Sequence, residues 1–118
     1  MFEIKVMFSS RPKLVSEIIR NLIESQPDMK VVGEVVDPIK LIFALRKTPA
    51  DVVIITPIKT NGIPSLCSQL LKEHTRLKIL TLTVEGKAVY IYKSGEKRAC
   101  IEKPTEAIIL GIIRSDIL

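Results

Sequence analysis

Asp51-Val52-Val53-Ile54-Ile55-Thr56 decides the fold, because four β-branched apolar residues run without a break between two polar ones. Such a run marks a strand covered on both faces, which is found in parallel sheets with helices above and below. A strand with one wet face would alternate apolar and polar residues instead. The segment therefore reads as the central strand of an α/β sheet.

Towards the N-terminus, Pro49 stops a helix that opens at Asp37 and Pro38, a cap and first-turn pair, and runs to about Lys47. Before it, Lys30 to Val35 reads as a strand. Pro12 to Ser25 reads as a helix with Leu14, Ile18 and Leu22 on one face, and Pro12 suits its first turn, where a missing N–H costs nothing. Phe2 to Phe8 reads as the first strand. Towards the C-terminus, a loop with Asn61 and Gly62 precedes helical spacing of Ile63, Leu66, Leu70 and Leu71. Lys78 to Thr83 returns to strand, Glu85 to Ser94 reads as a helix and Arg98 to Glu102 as a last short strand. Thr105 to Asp116 is a last helix, capped by Thr105 after Pro104.

Strands alternating with helices require right-handed crossovers and a sheet covered on both faces. The expectation is a three-layer, doubly wound α/β fold with a five-stranded parallel sheet in the flavodoxin-like order 2-1-3-4-5. In such sheets ligands bind beyond the carboxyl ends of the strands. The residues there are Ser9, Ser10, Thr56, Thr83 and Lys103.

The 118 residues fit a single domain, 1–118, with no break in composition, and 47% hydrophobic with 26% charged residues is a globular balance. The formal net charge is +5, but the basic residues are scattered, and two Tyr, three Phe and no Trp leave little to stack on bases. Direct nucleic-acid binding by this domain is not expected. Cys67 and Cys100, with His74 as the single histidine, are too few for a zinc site and read as buried free thiols. His74, among charged neighbours at a helix end, reads as solvated. No glycine-rich phosphate-binding motif occurs, so neither metal nor cofactor is expected. The chain starts directly on a strand pattern and has no membrane-length apolar run, giving an expectation of a cytoplasmic, reduced protein with no membrane contact.

Four phrases carry a family resemblance: IKVMFSSRPKLVSEIIRNLIESQPDMKVVGEVVD (4–37), PADVVIITP (49–57), LKILTLT (77–83) and ACIEKPTE (99–106). Over essentially its full length the chain resembles the receiver domains of response regulators. In that family two adjacent acids follow the first strand, an aspartate ends the third, a Thr or Ser ends the fourth and Lys-Pro ends the fifth. The resemblance assigns Thr83 to the hydroxyl position and Lys103 with Pro104 to the lysine position. It also assigns Ser9 and Ser10 to the acidic pair, Thr56 to the phosphoacceptor and Cys100 to the switch aromatic. Magnesium needs hard anionic oxygens, and an acyl phosphate needs a carboxylate, which serine and threonine hydroxyls do not replace. The resemblance thus implies a degenerate pseudo-receiver that is not phosphorylated on aspartate.

Without carboxylates around it, Lys103 must find hydroxyl or carbonyl acceptors or attract an anion. Two readings stay open: Ser9, Ser10, Thr56, Thr83 and Lys103 form a static hydrogen-bonded cluster, or Lys103 and Arg11 hold a small anion such as sulfate or phosphate. The last helix carries Ile108, Ile109, Leu110, Ile112 and Ile113 on more than one face, beyond the single stripe of a surface helix. Ile109, Leu110 and Ile113 are the candidate interface, for a homodimer through the last helices, an output domain or a neighbouring domain of the same chain.

The expected function is a non-enzymatic, phosphorylation-independent regulatory domain acting through protein contacts in a two-component or transcription-regulation setting. The alternative is a small-anion or metabolite sensor using the Lys103 pocket. An enzyme fits worst, since the strand ends offer no nucleophile with a base, no carboxylate pair and no metal ligands.

Overall fold

Val52–Ile55 lies in the middle of the sheet with all four side chains fully buried, as an uninterrupted β-branched run requires. In the computed structural model the described residues are 3–9, 13–56, 62–83 and 88–115. The chain order is β1 (Ile4–Ser9), α1 (Lys13–Glu24), β2 (Met29–Val35), a 3-10 turn (Pro38–Lys40) leading into α2 (Leu41–Lys47), β3 (Val52–Ile55) and α3 (Ile63–Glu73). It continues with β4 (Lys78–Leu82), β5 (Ala88–Lys93), β6 (Ala99–Glu102) and α4 (Glu106–Arg114). Asp37 accepts from the Ile39 N–H and Thr105 from the Ile108 N–H, so both expected caps form.

The sheet has six strands in the order β2-β1-β3-β4-β5-β6. Alternate side chains divide its core. Val6, Phe8, Val52, Ile54, Leu80 and Val89 lie beneath Ile19 and Ile23 of α1 and Ile109, Ile112 and Ile113 of α4. On the other face Met7, Val53, Ile55 and Ile79 meet Leu41 and Leu45 of α2 and Leu66, Cys67 and Leu70 of α3. This is the expected three-layer α/β arrangement. In α1 the buried stripe falls one residue beyond the expected one: Ile19 and Ile23 are buried, Leu22 is half-buried and Ile18 is exposed. KLVSEIIRNLIE offers two adjoining apolar stripes, and the sheet takes the second.

The fifth-strand region differs from expectation. β2, β1, β3 and β4 are parallel and ordered as expected, but the segment expected to be a helix over Glu85 to Ser94 contains β5, antiparallel to β4. The sheet is therefore mixed and six-stranded. AVYIYK has β-branched and aromatic residues with a period of two: Val89 packs into the core while Tyr90 and Tyr92 point to the opposite face. Gly95, at φ 77, turns the chain into β6, and β6 pairs antiparallel with β5. β6 thus runs in the same direction as β4 but at the far edge of the sheet.

Candidate functional site

Two ends of the sheet are built differently. At the amino end, Asp51 ties three strands together: its carboxylate accepts from the Lys5 N–H at 2.8 Å, its N–H donates to the Lys5 carbonyl, and its own carbonyl accepts from the Lys78 N–H. Beside it Lys78 is 4% exposed and extends its ammonium to the end of α4. It donates to the Ile112 carbonyl at 2.6 Å, to the Ser115 hydroxyl at 2.8 Å and to the Ser115 carbonyl. A buried cation among the unsatisfied carbonyls of a helix C-terminus suits the helix dipole and caps α4. Sequence reading gave neither residue a role. The signal for Lys78 was a lysine opening a strand of otherwise buried residues.

At the carboxyl end, β1 and β3 bring Ser9 and Thr56 together, both fully buried. The Thr56 N–H donates to Ser9 Oγ at 3.3 Å and the Thr56 hydroxyl donates to the Ser9 carbonyl at 3.4 Å. A hydrogen-bonded hydroxyl can be buried cheaply where an unpaired carboxylate could not. Thr83 is half-buried; its hydroxyl accepts from the Ala88 N–H at 3.2 Å, and its own N–H donates to the Ala88 carbonyl. It closes the β4–β5 connection. Ser10 and Arg11 lie outside the described residues.

Lys103 does not join this group. β6 stands three strands from β3, roughly 14 Å at the usual inter-strand spacing, and Lys103 just beyond it is exposed, at φ 49. The physical reason is the inserted strand: β5 occupies the place beside β4 that the lysine strand was expected to take. Pro104 follows, half-buried. The five-residue hydroxyl-and-lysine cluster and the Lys103 anion pocket are therefore not assembled from the described residues.

Three further expectations are corrected. Ile109 and Ile113 are buried in the chain's own core and Leu110 is half-buried against it, while Ile108 of the same helix is exposed. Cys100 is exposed, not buried, because it lies on the edge strand and faces the side that none of the described helices covers there; Cys67 is the buried thiol, pushed up to about 12 by burial. Nor is His74 fully solvated: its ring is half-buried, with Nε2 shut away from solvent 3.6 Å from a Glu73 oxygen. Among the described residues, no group of three or more His, Cys, Asp or Glu is placed to hold a metal ion, and no helix is long and apolar enough to cross a membrane.

No protein-family model and no curated protein matches the chain. Solved structures do match it. One is RcsB from Salmonella enterica serovar Typhimurium, bound to promoter rprA in the presence of phosphomimetic BeF3−, with 28% sequence identity and a TM-score of 0.60. The match covers 69% of this chain, and the chain spans 42% of RcsB. The fold is receiver-like and flavodoxin-type. Similarity to a response regulator supports a receiver-like role in signalling.

Proposed function

We propose that this chain is a regulatory domain that uses the receiver-like fold without phosphoryl transfer. It acts through contacts with a protein partner or an output domain, in a two-component or transcription-regulation setting. The observation that carries this reading is the Ser9–Thr56 pair. At the carboxyl ends of β1 and β3 stand two neutral, buried hydroxyl residues bonded to each other. A phosphorylation site would need an exposed carboxylate nucleophile and anionic oxygens for magnesium in that position.

The proposed domain is not an enzyme, works in the cytoplasm and makes no direct nucleic-acid contact itself. The exposed position of Lys103 weighs against the small-anion sensor, since that reading needs the lysine beside the strand-end hydroxyls. The test is incubation with acetyl phosphate and magnesium followed by intact mass measurement. The unmodified mass alone is expected, and a stoichiometric phosphoryl adduct would overturn the reading.

A further inference from the structure

Among the described residues five large apolar side chains are exposed, and three of them, Val36, Ile39 and Phe43, fall within the eight residues 36–43. Ile18 and Ile108 stand singly on α1 and α4, as apolar residues do on any soluble surface. The stretch PIKLIFALRK (38–47) dictates the cluster. Leu41 and Leu45, one turn apart, take the buried side of the helix, which leaves Ile39, Lys40, Phe43, Arg46 and Lys47 on its outer arc. Phe43 stands at the centre, 63% exposed, with Ile39 and Lys40 one turn before it and Arg46 and Lys47 one turn after.

The same arc is basic. Residues 36–47 carry Lys40, Arg46 and Lys47 against one acid, Asp37, whose carboxylate accepts from the Ile39 N–H. Arg46 lies over the Phe43 ring at 5.8 Å and is ion-paired with Glu73 of α3, so its charge is already matched. Lys40 and Lys47 are exposed and, among the described residues, have neither an ion pair nor a hydrogen bond. The arc therefore offers an apolar centre between two unmatched ammonium groups, roughly 10 Å apart along the helix.

We infer that this arc docks an acidic amphipathic helix of a partner protein, its apolar residues against Phe43 and Ile39 and its Asp or Glu residues against Lys40 and Lys47. Charge selects this occupant. A second copy docked by the same arc would gather four lysines with no unmatched acid among them, and like charges brought together exclude a wrong partner. A lipid surface fits less well: three side chains a little over half exposed present less apolar surface than one fatty-acyl chain, and one such chain holds a protein only marginally. A helix suits the arc because side-chain ridges one turn apart interlock with ridges of the same spacing. The contact is small, so a Kd on the order of 100 μM is expected.

This inference rests on the reading of the domain as an interaction module and names the chemistry of one partner. It is tested on the full chain by titration with a designed helical peptide of about 20 residues, with Leu one turn apart and Glu on both flanks, and with a twin in which every Glu is Lys. The acidic peptide is expected to bind at least about tenfold tighter than its twin, with amide shifts in two-dimensional NMR confined to the neighbourhood of residues 36–47. Lys40→Glu combined with Lys47→Glu is expected to reverse the preference, and Phe43→Ser to weaken the acidic peptide about tenfold. No binding of either peptide, equal binding of both, or a preference that the variants leave unchanged would overturn the inference. So would sedimentation with vesicles of equal phosphatidylserine and phosphatidylcholine that the double lysine variant loses, or a dimer in light scattering that Phe43→Ser dissolves, which would put a lipid surface or a second copy on the arc. A phosphoryl adduct would instead overturn the phosphorylation-independent reading and leave this docking surface untouched.

Discussion

Thr56 donates twice to Ser9: its N–H to the Ser9 hydroxyl, and its hydroxyl to the Ser9 carbonyl. With both residues fully buried, the pair joins the carboxyl ends of β1 and β3 without charge. Thr56→Val keeps the shape and removes the hydroxyl, leaving the Ser9 carbonyl short of a partner. Urea denaturation is expected to show a loss of about 1 kcal/mol.

Thr56→Asp writes the family's acid back into this position, and the position rejects it. Among the described residues no cation stands beside Thr56 to pair with a carboxylate, so a destabilisation of several kcal/mol is expected at neutral pH. Burial raises the folded-state pKa above the unfolded value of about 3.9, so the penalty vanishes below about pH 4 and grows as pH rises towards the folded value. Urea titrations at several pH values check both the size and the direction.

Lys78→Met removes the ammonium that caps the carbonyl end of α4 and leaves the Ile112 carbonyl without that buried donor. A destabilisation of about 1–3 kcal/mol is expected. Hydrogen exchange should report faster opening of the last turn of α4, around Ile113 and Arg114.

Lys103 discriminates the observed arrangement from a lysine-centred pocket. At φ 49 a lysine carries the strain of the left-handed region, which glycine lacks. Lys103→Gly is expected to raise stability by up to about 1 kcal/mol, and Lys103→Ala to leave any response to phosphate or sulfate unchanged. Loss of an anion-dependent rise in Tm on either substitution would place the lysine back in a site.

Arg114 grips Asp28 through two hydrogen bonds, at 2.8 and 2.9 Å, and donates a third to Gln26. The Asp28 carboxyl is held below its ordinary value, first by the side-chain hydrogen bond from Arg114. A depressed folded-state pKa contributes stability that is complete above the unfolded value of about 3.9 and is lost as pH falls through the folded value. The pair is exposed, so Asp28→Asn should cost less than about 1 kcal/mol at neutral pH and nothing in strong acid, as measured by urea denaturation.

How far the sequence could be read depended on which signal each segment carried. The run Val52–Ile55 can be buried only on both sides, which placed β3 at the centre and the parallel strands around it. Asp37 and Thr105 are capping residues by their chemistry, and both cap. The region after Thr83 failed because the alternation of strands and helices was carried on through Glu85 to Ser94, while VYIY carries the two-residue period of a strand. Lys103 was misplaced with it: a lysine at a strand end says nothing about how many strands separate it from its intended neighbours. Apolar residues on several faces of α4 look the same whether a partner or the chain's own sheet covers them, and here the sheet covers Ile109 and Ile113.

The most direct test of the central claim is a thermal melt with magnesium and beryllofluoride together, compared with each alone. A receiver-like fold whose strand ends carry Ser9 and Thr56 in place of acids should show the same Tm in all conditions. A rise in Tm that requires both additives would mean that a phosphorylation site assembles from other residues, and the account of a phosphorylation-independent domain would be wrong.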